Sequence, residues 1–170
     1  MKKKFIILIV LVVGFLILDQ WTKHLVHKNF SWGESKPIVS GFFSLTYVRN
    51  SGAAFGILHK APPAFRDPFF IAVPLIALFV IIFLFVRLQD NQLFTAGALS
   101  LILSGAVGNL IDRLRFGFVI DFLDFFIKDY HWPAFNVADS CIVVGVSILF
   151  IQSFFQSKVE SHRVNEHLKT

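Results

Sequence analysis

Charge is scarce in this chain. Of its 170 residues, 16% are Asp, Glu, Lys or Arg, while 55% are hydrophobic. A soluble domain of this length could not hide so many apolar side chains without a large exposed patch, so the composition points to an integral membrane protein. Cysteine is nearly absent. Cys141 stands alone in an apolar run, which excludes an intramolecular disulfide and a thiol-ligated metal site. The six histidines include no pair at metal-binding spacing, and His24/His27 and His162/His167 read as headgroup-level or tail residues. No metal or cofactor is called for. The Lys and Arg residues are scattered without a base-reading motif, so the net charge of +5 is assigned to membrane orientation and headgroup contact rather than to nucleic acid.

What is abundant is Phe, 22 in all, together with long apolar runs. Lys2, Lys3 and Lys4 precede FIILIVLVVGFLIL, the layout of a secretory signal peptide. No small-residue cleavage site follows, however; Asp19-Gln20-Trp21-Thr22-Lys23-His24 does. The expectation is an uncleaved first span over about 4–25, long enough to cross a hydrocarbon core of about 30 Å. Further spans are expected over about 69–87, where Pro74 is tolerable, over 93–112 and over 135–156, with a polar tail at 158–170. In the third span Ser100, Ser104 and Gly108 recur at every fourth position and form a face suited to close helix packing.

The fold class expected is therefore a single all-α membrane domain of four transmembrane helices, both termini on one side. The lysine run assigns that side to the cytoplasm; the Lys and Arg of the loops do not add to the assignment. Segments 27–67 and 113–134, and the polar cluster at their borders, are then extracytoplasmic. Within the first, Phe42 to Val48 has strand composition, with Phe43, Leu45 and Tyr47 alternating with Ser44 and Thr46 as in a half-buried sheet on the membrane. Arg49-Asn50-Ser51-Gly52-Ala53-Ala54-Phe55-Gly56 follows, small-residue turn material where a backbone approaches a ligand closely. Asn50 is a turn residue or a site residue on this reading.

Polar chemistry concentrates between Gly105 and Asp139. Asn109, Asp112 and Arg113 lie at i, i+3 and i+4, one face at the end of the third span. Asp112 and Arg113 are either a structural ion pair or part of a site. Asp121 sits in an apolar surround, FVIDF, where burial raises a carboxyl pKa. Asn136 reads as a helix N-cap behind Pro133, which places Asp139 in the first turn, where the helix dipole favours an anion. Two carboxyls in environments that push their pKa values apart suit acid–base chemistry, with capping and ion pairing as the structural alternative. A proton-translocating subunit relaying through Asp112 and Asp121, or a membrane scaffold with capping aspartates, are rival functions; a transport site belongs near mid-bilayer, whereas these acids lie at helix ends or in loops.

The constellation resembles the lipoprotein signal peptidase (signal peptidase II) family of bacterial membrane aspartic proteases. The matching pieces are Asp19-Gln-Trp-Thr-Lys23, Arg49-Asn-Ser-Gly-Ala-Ala-Phe-Gly56, Gly108-Asn-Leu-Ile-Asp-Arg113, Val119-Ile-Asp-Phe122 and Phe135-Asn-Val-Ala-Asp139, in the family's order over essentially the whole chain. The resemblance implies a catalytic dyad of Asp121 and Asp139. It implies that Asn50, Asn109, Arg113 and Asn136 line the site or bind substrate, and that Asp19 and Asp112 support it by holding helix ends and orienting Arg113. It further implies a diacylglyceryl-modified prolipoprotein as substrate, cleaved just before the lipidated cysteine. Sensitivity to globomycin, contact with membrane lipid, and residence in the bacterial cytoplasmic (inner) membrane follow, with the site at the extracytoplasmic face. A small extracytoplasmic sheet and a short helix over the site are expected, accommodating the 42–48 strand and the 57–66 loop.

Overall fold

A computed structural model describes residues 2–52 and 62–167, with side chains described through Phe155. Four long helices carry the apolar runs: α1 (Lys3–Asn29), α2 (Pro63–Arg87), α3 (Leu93–Phe116) and α4 (Val137–His167). Each holds an apolar stretch long enough to cross a membrane, in α4 the part Val137–Phe155. A small antiparallel sheet joins them, built from β1 (Ser35–Val39), β2 (Phe43–Asn50), β3 (Val119–Ile127) and β4 (Tyr130–His131) in that order.

The helices are not equivalent. In the apolar window of α3, 56% of residues are buried, against 6% in α1, 11% in α2 and 17% in α4, so α3 is the central helix and the others face outward. Small side chains put it there. Ser100, Ser104 and Gly108 are all buried, and Ser104 Oγ donates to Val12 O of α1 at 3.4 Å. A methyl group on Gly108 would stand 2.6 Å from Asp19 Oδ2. Gly105 faces the Ala138 carbonyl of α4 so closely that any side chain there would displace it. The outward surfaces of α1, α2 and α4 stay apolar, with Ile9, Val10, Phe79, Phe83, Val143 and Phe150 exposed. Nothing in water rewards that arrangement; a lipid surround does.

Helix ends follow local chemistry. Pro63 starts α2, where a missing N–H leaves nothing unsatisfied. Gly117, at φ 76°, ends α3 in the left-handed conformation and returns its N–H to Arg113 O at 3.0 Å. Helix α4 runs on through His167, so most of the expected separate tail is a continuation of the helix, and 168–170 lie outside the described residues. Of the expected 57–66 loop, 57–61 lie outside them too, as does the short helix over the site, while the rest is not loop: Pro62 caps α2 and 63–66 form its first turn.

Two corrections concern the sheet. The strand expected over 42–48 extends over Phe43–Asn50, and its simple alternation fails: Ser44 is buried along with Tyr47. A register shift between Leu45 and Val48 in the pairing with β3 breaks the period of two. The segment after α3 is not merely a loop. Val119, Ile120, Asp121 and Phe122 are consecutive buried residues of β3, and a strand covered on both faces carries no alternation to read. Tyr47, Ile120 and Phe122 pack with Val26 of α1, seating the sheet on the ends of α1 and α3.

Candidate active site

Asp121 enters the site because β3 leaves α3 at Gly117 and pairs with β2, with Val48 opposite Asp121 and Val119 opposite Asn50. Its two oxygens are both occupied: Asn50 Nδ2 donates to Oδ2 at 2.9 Å and Asn136 Nδ2 donates to Oδ1 at 2.7 Å. Asn50 also accepts from the Gly52 N–H at 3.0 Å. Its amide oxygen thus shapes the turn while its N–H reaches the Asp121 carboxyl.

Asp139 arrives from the opposite direction, in the first turn of α4. Asn136 caps that helix, taking the Asp139 N–H on Oδ1 at 2.9 Å, while its own N–H goes to Asp139 Oδ2 at 3.2 Å. This reciprocal cap fixes the Asp139 carboxylate and leaves the Asn136 amide nitrogen free to bond Asp121. Asn109 Nδ2 completes Asp139 with a 2.7 Å bond to Oδ1. One residue, Asn136, therefore touches both carboxyls. The Asp121 carboxyl is pushed up to about 7, by burial first and by the charge of Asp139 second, against the opposing bonds from Asn50 and Asn136 and the charge of Lys23.

Beneath the pair lies a second polar layer. Lys23 Nζ contacts Asp19 Oδ2 at 2.9 Å, Asp112 Oδ2 at 3.0 Å and Asn109 Oδ1 at 2.9 Å. Asp19 Oδ1 accepts the Ala138 N–H of α4 at 2.9 Å, and Asp112 Oδ2 accepts the Ile120 N–H of β3 at 3.1 Å. Gln20 Nε2 spans the two acids, at 3.2 Å from Asp19 Oδ2 and 3.1 Å from Asp112 Oδ1. Asp19 and Asp112 thus tie α1 to α4 and α3 to β3. The ion pair considered for Asp112 with Arg113 is replaced by Asp112 with Lys23, since adjacent helical residues point apart. Arg113 instead lies over the Phe70 ring, its Cζ 5.2 Å from the centroid, and donates to Gly52 O at 3.3 Å.

Lys23 and Gln20 carried no role in the sequence reading. The signal was available: Asp19 and Lys23 stand at i, i+4 on a helix otherwise apolar for fourteen residues before them, a costly placement for unpaired charge. Asp124, the other acid of β3, belongs elsewhere, bonding His131 Nδ1 at 2.9 Å and Thr46 Oγ1 at 3.1 Å.

Comparison with known proteins gives the arrangement its family. Residues 10–155 match the family described as signal peptidase (SPase) II. The lipoprotein signal peptidase of Geobacter sulfurreducens is 53% identical over 89% of this chain and 93% of its own length. That of Syntrophus aciditrophicus is 47% identical over 95% of this chain and the whole of its own. A solved bacterial membrane enzyme, determined by the in meso method at 2.3 Å resolution, superposes with a TM-score of 0.80 at 35% identity over 88% of each chain. The chain belongs to the signal peptidase II family.

Proposed function

We propose that this protein is an aspartic endopeptidase that removes the signal peptide from diacylglyceryl-modified prolipoproteins, cutting just before the lipidated cysteine. The observation that carries the reading is the position of Asn136, which bonds Asp121 through its side chain and Asp139 through its backbone N–H. Two carboxyls from different elements, Asp121 buried and Asp139 half-buried, are thereby held about one residue. A pair so placed shares protons and titrates as a unit, and the rise of Asp121 to about 7 fits one shared proton at neutral pH.

In the mechanism, the ionised member of the dyad takes a proton from water as that water adds to the scissile carbonyl carbon. The protonated member donates to the carbonyl oxygen. Collapse of the tetrahedral adduct breaks the C–N bond, returns that oxygen's proton to the dyad and delivers a proton to the leaving amine. Asn50, Asn109 and Asn136 hold the carboxyls, while Arg113, at the edge beside Gly52, is placed to bind substrate backbone or headgroup.

Orientation follows from charge. Lys2, Lys3 and Lys4 favour a cytoplasmic start, which puts the dyad and the sheet at the extracytoplasmic face of the cytoplasmic membrane and both termini inside. A lipid-modified precursor keeps its acyl chains in the bilayer, so its scissile bond meets a site at the helix ends, and a single domain with four spans is enough to present it. A globomycin-type cyclic peptide would compete by occupying the dyad.

The test is cleavage of a lipid-modified precursor by purified protein in detergent, beside the unmodified precursor. The expected result is a cut before the modified cysteine only, insensitive to chelator and reduced by about 1,000-fold or more in Asp121→Asn and in Asp139→Asn, with helical content unchanged. Activity surviving either substitution removes the dyad; no cleavage by the folded protein removes the function and favours proton transport.

A further inference from the structure

We infer that Lys23 is a positioning residue for the dyad: it fixes the Asn109 amide in the one orientation that presents N–H to Asp139 and an acceptor to Asn136. The inference rests on the dyad proposed above but not on its substrate. An asparagine amide is two-faced, and its function depends on which face points where. Lys23 offers donors only, and its three are matched by Asp19 Oδ2, Asp112 Oδ2 and Asn109 Oδ1 at 2.9, 3.0 and 2.9 Å. Asn109 must therefore turn its oxygen to Lys23. Its nitrogen then meets Asp139 Oδ1 at 2.7 Å, and its oxygen also receives Asn136 Nδ2 at 3.2 Å.

Turning the amide over would set its NH2 against both Lys23 and Asn136, and its oxygen against the Asp139 carboxylate. All three contacts would become repulsive. The same Asn136 nitrogen serves Asp121, so the orientation imposed by Lys23 reaches both acids through neutral amides. The charged groups around this network are Asp19 of α1, Asp112 and Arg113 of α3, Asp121 of β3 and Asp139 of α4, and Lys23 lies within electrostatic reach of both members of the dyad. Asp19 and Asp112, at 2.9 and 3.0 Å from the ammonium, hold it beside Asn109. Their supporting role thus runs through Lys23.

Lys23→Met keeps the aliphatic length and removes the donors. Bonds to the ionised dyad are then no longer enforced, so protons leave it at higher pH. The experiment follows carboxyl protonation by infrared spectroscopy on the full chain, with Asp121→Asn identifying the band, and follows the acidic limb of the cleavage profile in parallel. Both midpoints should move up by about one pH unit, with kcat falling below neutrality more than KM changes. A variant with Asp19→Asn and Lys23→Met removes one buried charge of each sign while keeping an acceptor for the Ala138 N–H; it should fold better and shift the same way by less. In the unmutated protein, the nitrogen-15 resonance of the Asn109 side chain should move with the same titration. An unchanged midpoint in a folded variant, or an Asn109 resonance blind to the titration, overturns the inference. If the wild type fails to cleave, the proposed substrate falls, and the carboxyl titration still judges Lys23.

Discussion

Helix α1 buries two lysines, Lys4 and Lys23, both at 5% side-chain exposure or less, and they live in opposite chemistry. Nineteen residues at 1.5 Å each separate them by about 28 Å, close to the thickness of a hydrocarbon core. Lys23 is enclosed by two buried carboxylates and an amide. Lys4 donates to the Leu88 carbonyl at the end of α2 and reaches Asp90 at 3.5 Å, a residue half exposed and shared with Lys2 at 3.0 Å. At the Lys4 end, a long side chain covers a helix terminus and its partner stays in water. At the Lys23 end, the ammonium and both carboxylates it contacts have been taken out of water, which costs several kcal/mol per ion unless partners replace the solvent. That expense is met at one end of α1 only, the end where the proposed dyad lies.

The largest expected difference comes from removing each lysine in turn. Lys23→Met strands Asp19 and Asp112 without their cation and should cost about 3–5 kcal/mol, the scale for breaking a buried pair by losing one partner. Lys4→Met leaves only a backbone carbonyl and a hydrated acid behind and should cost a small fraction of that. Thermal unfolding of the two variants in the same detergent measures the contrast, and equal losses would erase it.

The next effect depends on pH. The Asp121 carboxyl lies near 7 in the folded protein against 3.8 for the free group. Its contribution to stability is therefore complete below 3.8 and is lost as pH rises through about 7. Asp121→Asn does not ionise, so relative to wild type it should gain on the order of 2 kcal/mol between pH 5 and pH 8, whatever its offset at pH 5. Melting temperatures at the two pH values decide; parallel curves would mean that Asp121 ionises as it does in water.

How much of this was legible beforehand follows from which features have a period. The helices announce themselves as unbroken apolar runs, and the close face of α3 through Ser100, Ser104 and Gly108. Asn136 and Asp139 are three apart in sequence, so their reciprocal cap is a local signal. By contrast β3 has no alternation, because both of its faces are covered, and Lys23 looks like an interfacial anchor until α3 is laid beside it. Its partners Asn109 and Asp112 lie 86 and 89 positions away in the chain, and no local pattern encodes such a meeting. Asn50 left two readings open because its bonds use different ends of one amide, the oxygen taking the Gly52 N–H and the nitrogen reaching Asp121.

Small residues sharpen the comparison further. A methyl group on Gly108 would meet Asp19, whereas nothing lies within 4 Å of one built on Gly14, on an exposed face of α1. Gly108→Ala must push Asp19 away from Lys23 and Ala138, and should cost about 1–3 kcal/mol as an overpacking change. Gly14→Ala should be neutral or slightly stabilising, since alanine is the better helix former. If the two substitutions behave alike in thermal unfolding, the tight seam between α1 and α3 at the Lys23 end is not there.

The smallest effect belongs to the exposed pair at the other end. Lys2 and Asp90 stand 3.0 Å apart with side chains 63% and 50% exposed. The lysines hold the Asp90 carboxyl below its usual range, Lys2 foremost, yet water and salt screen such a contact and two mobile side chains must be ordered to make it. Asp90→Asn should accordingly leave the melting temperature at neutral pH nearly unchanged, and any residual difference should vanish as salt is raised from low to physiological strength. Cleavage should be untouched, because nothing at the Lys4 end reaches the dyad. A salt-resistant loss of stability or activity would mean that Asp90 is buried in the membrane-bound protein, and the asymmetry between the two ends of α1 would then be one of degree rather than of kind.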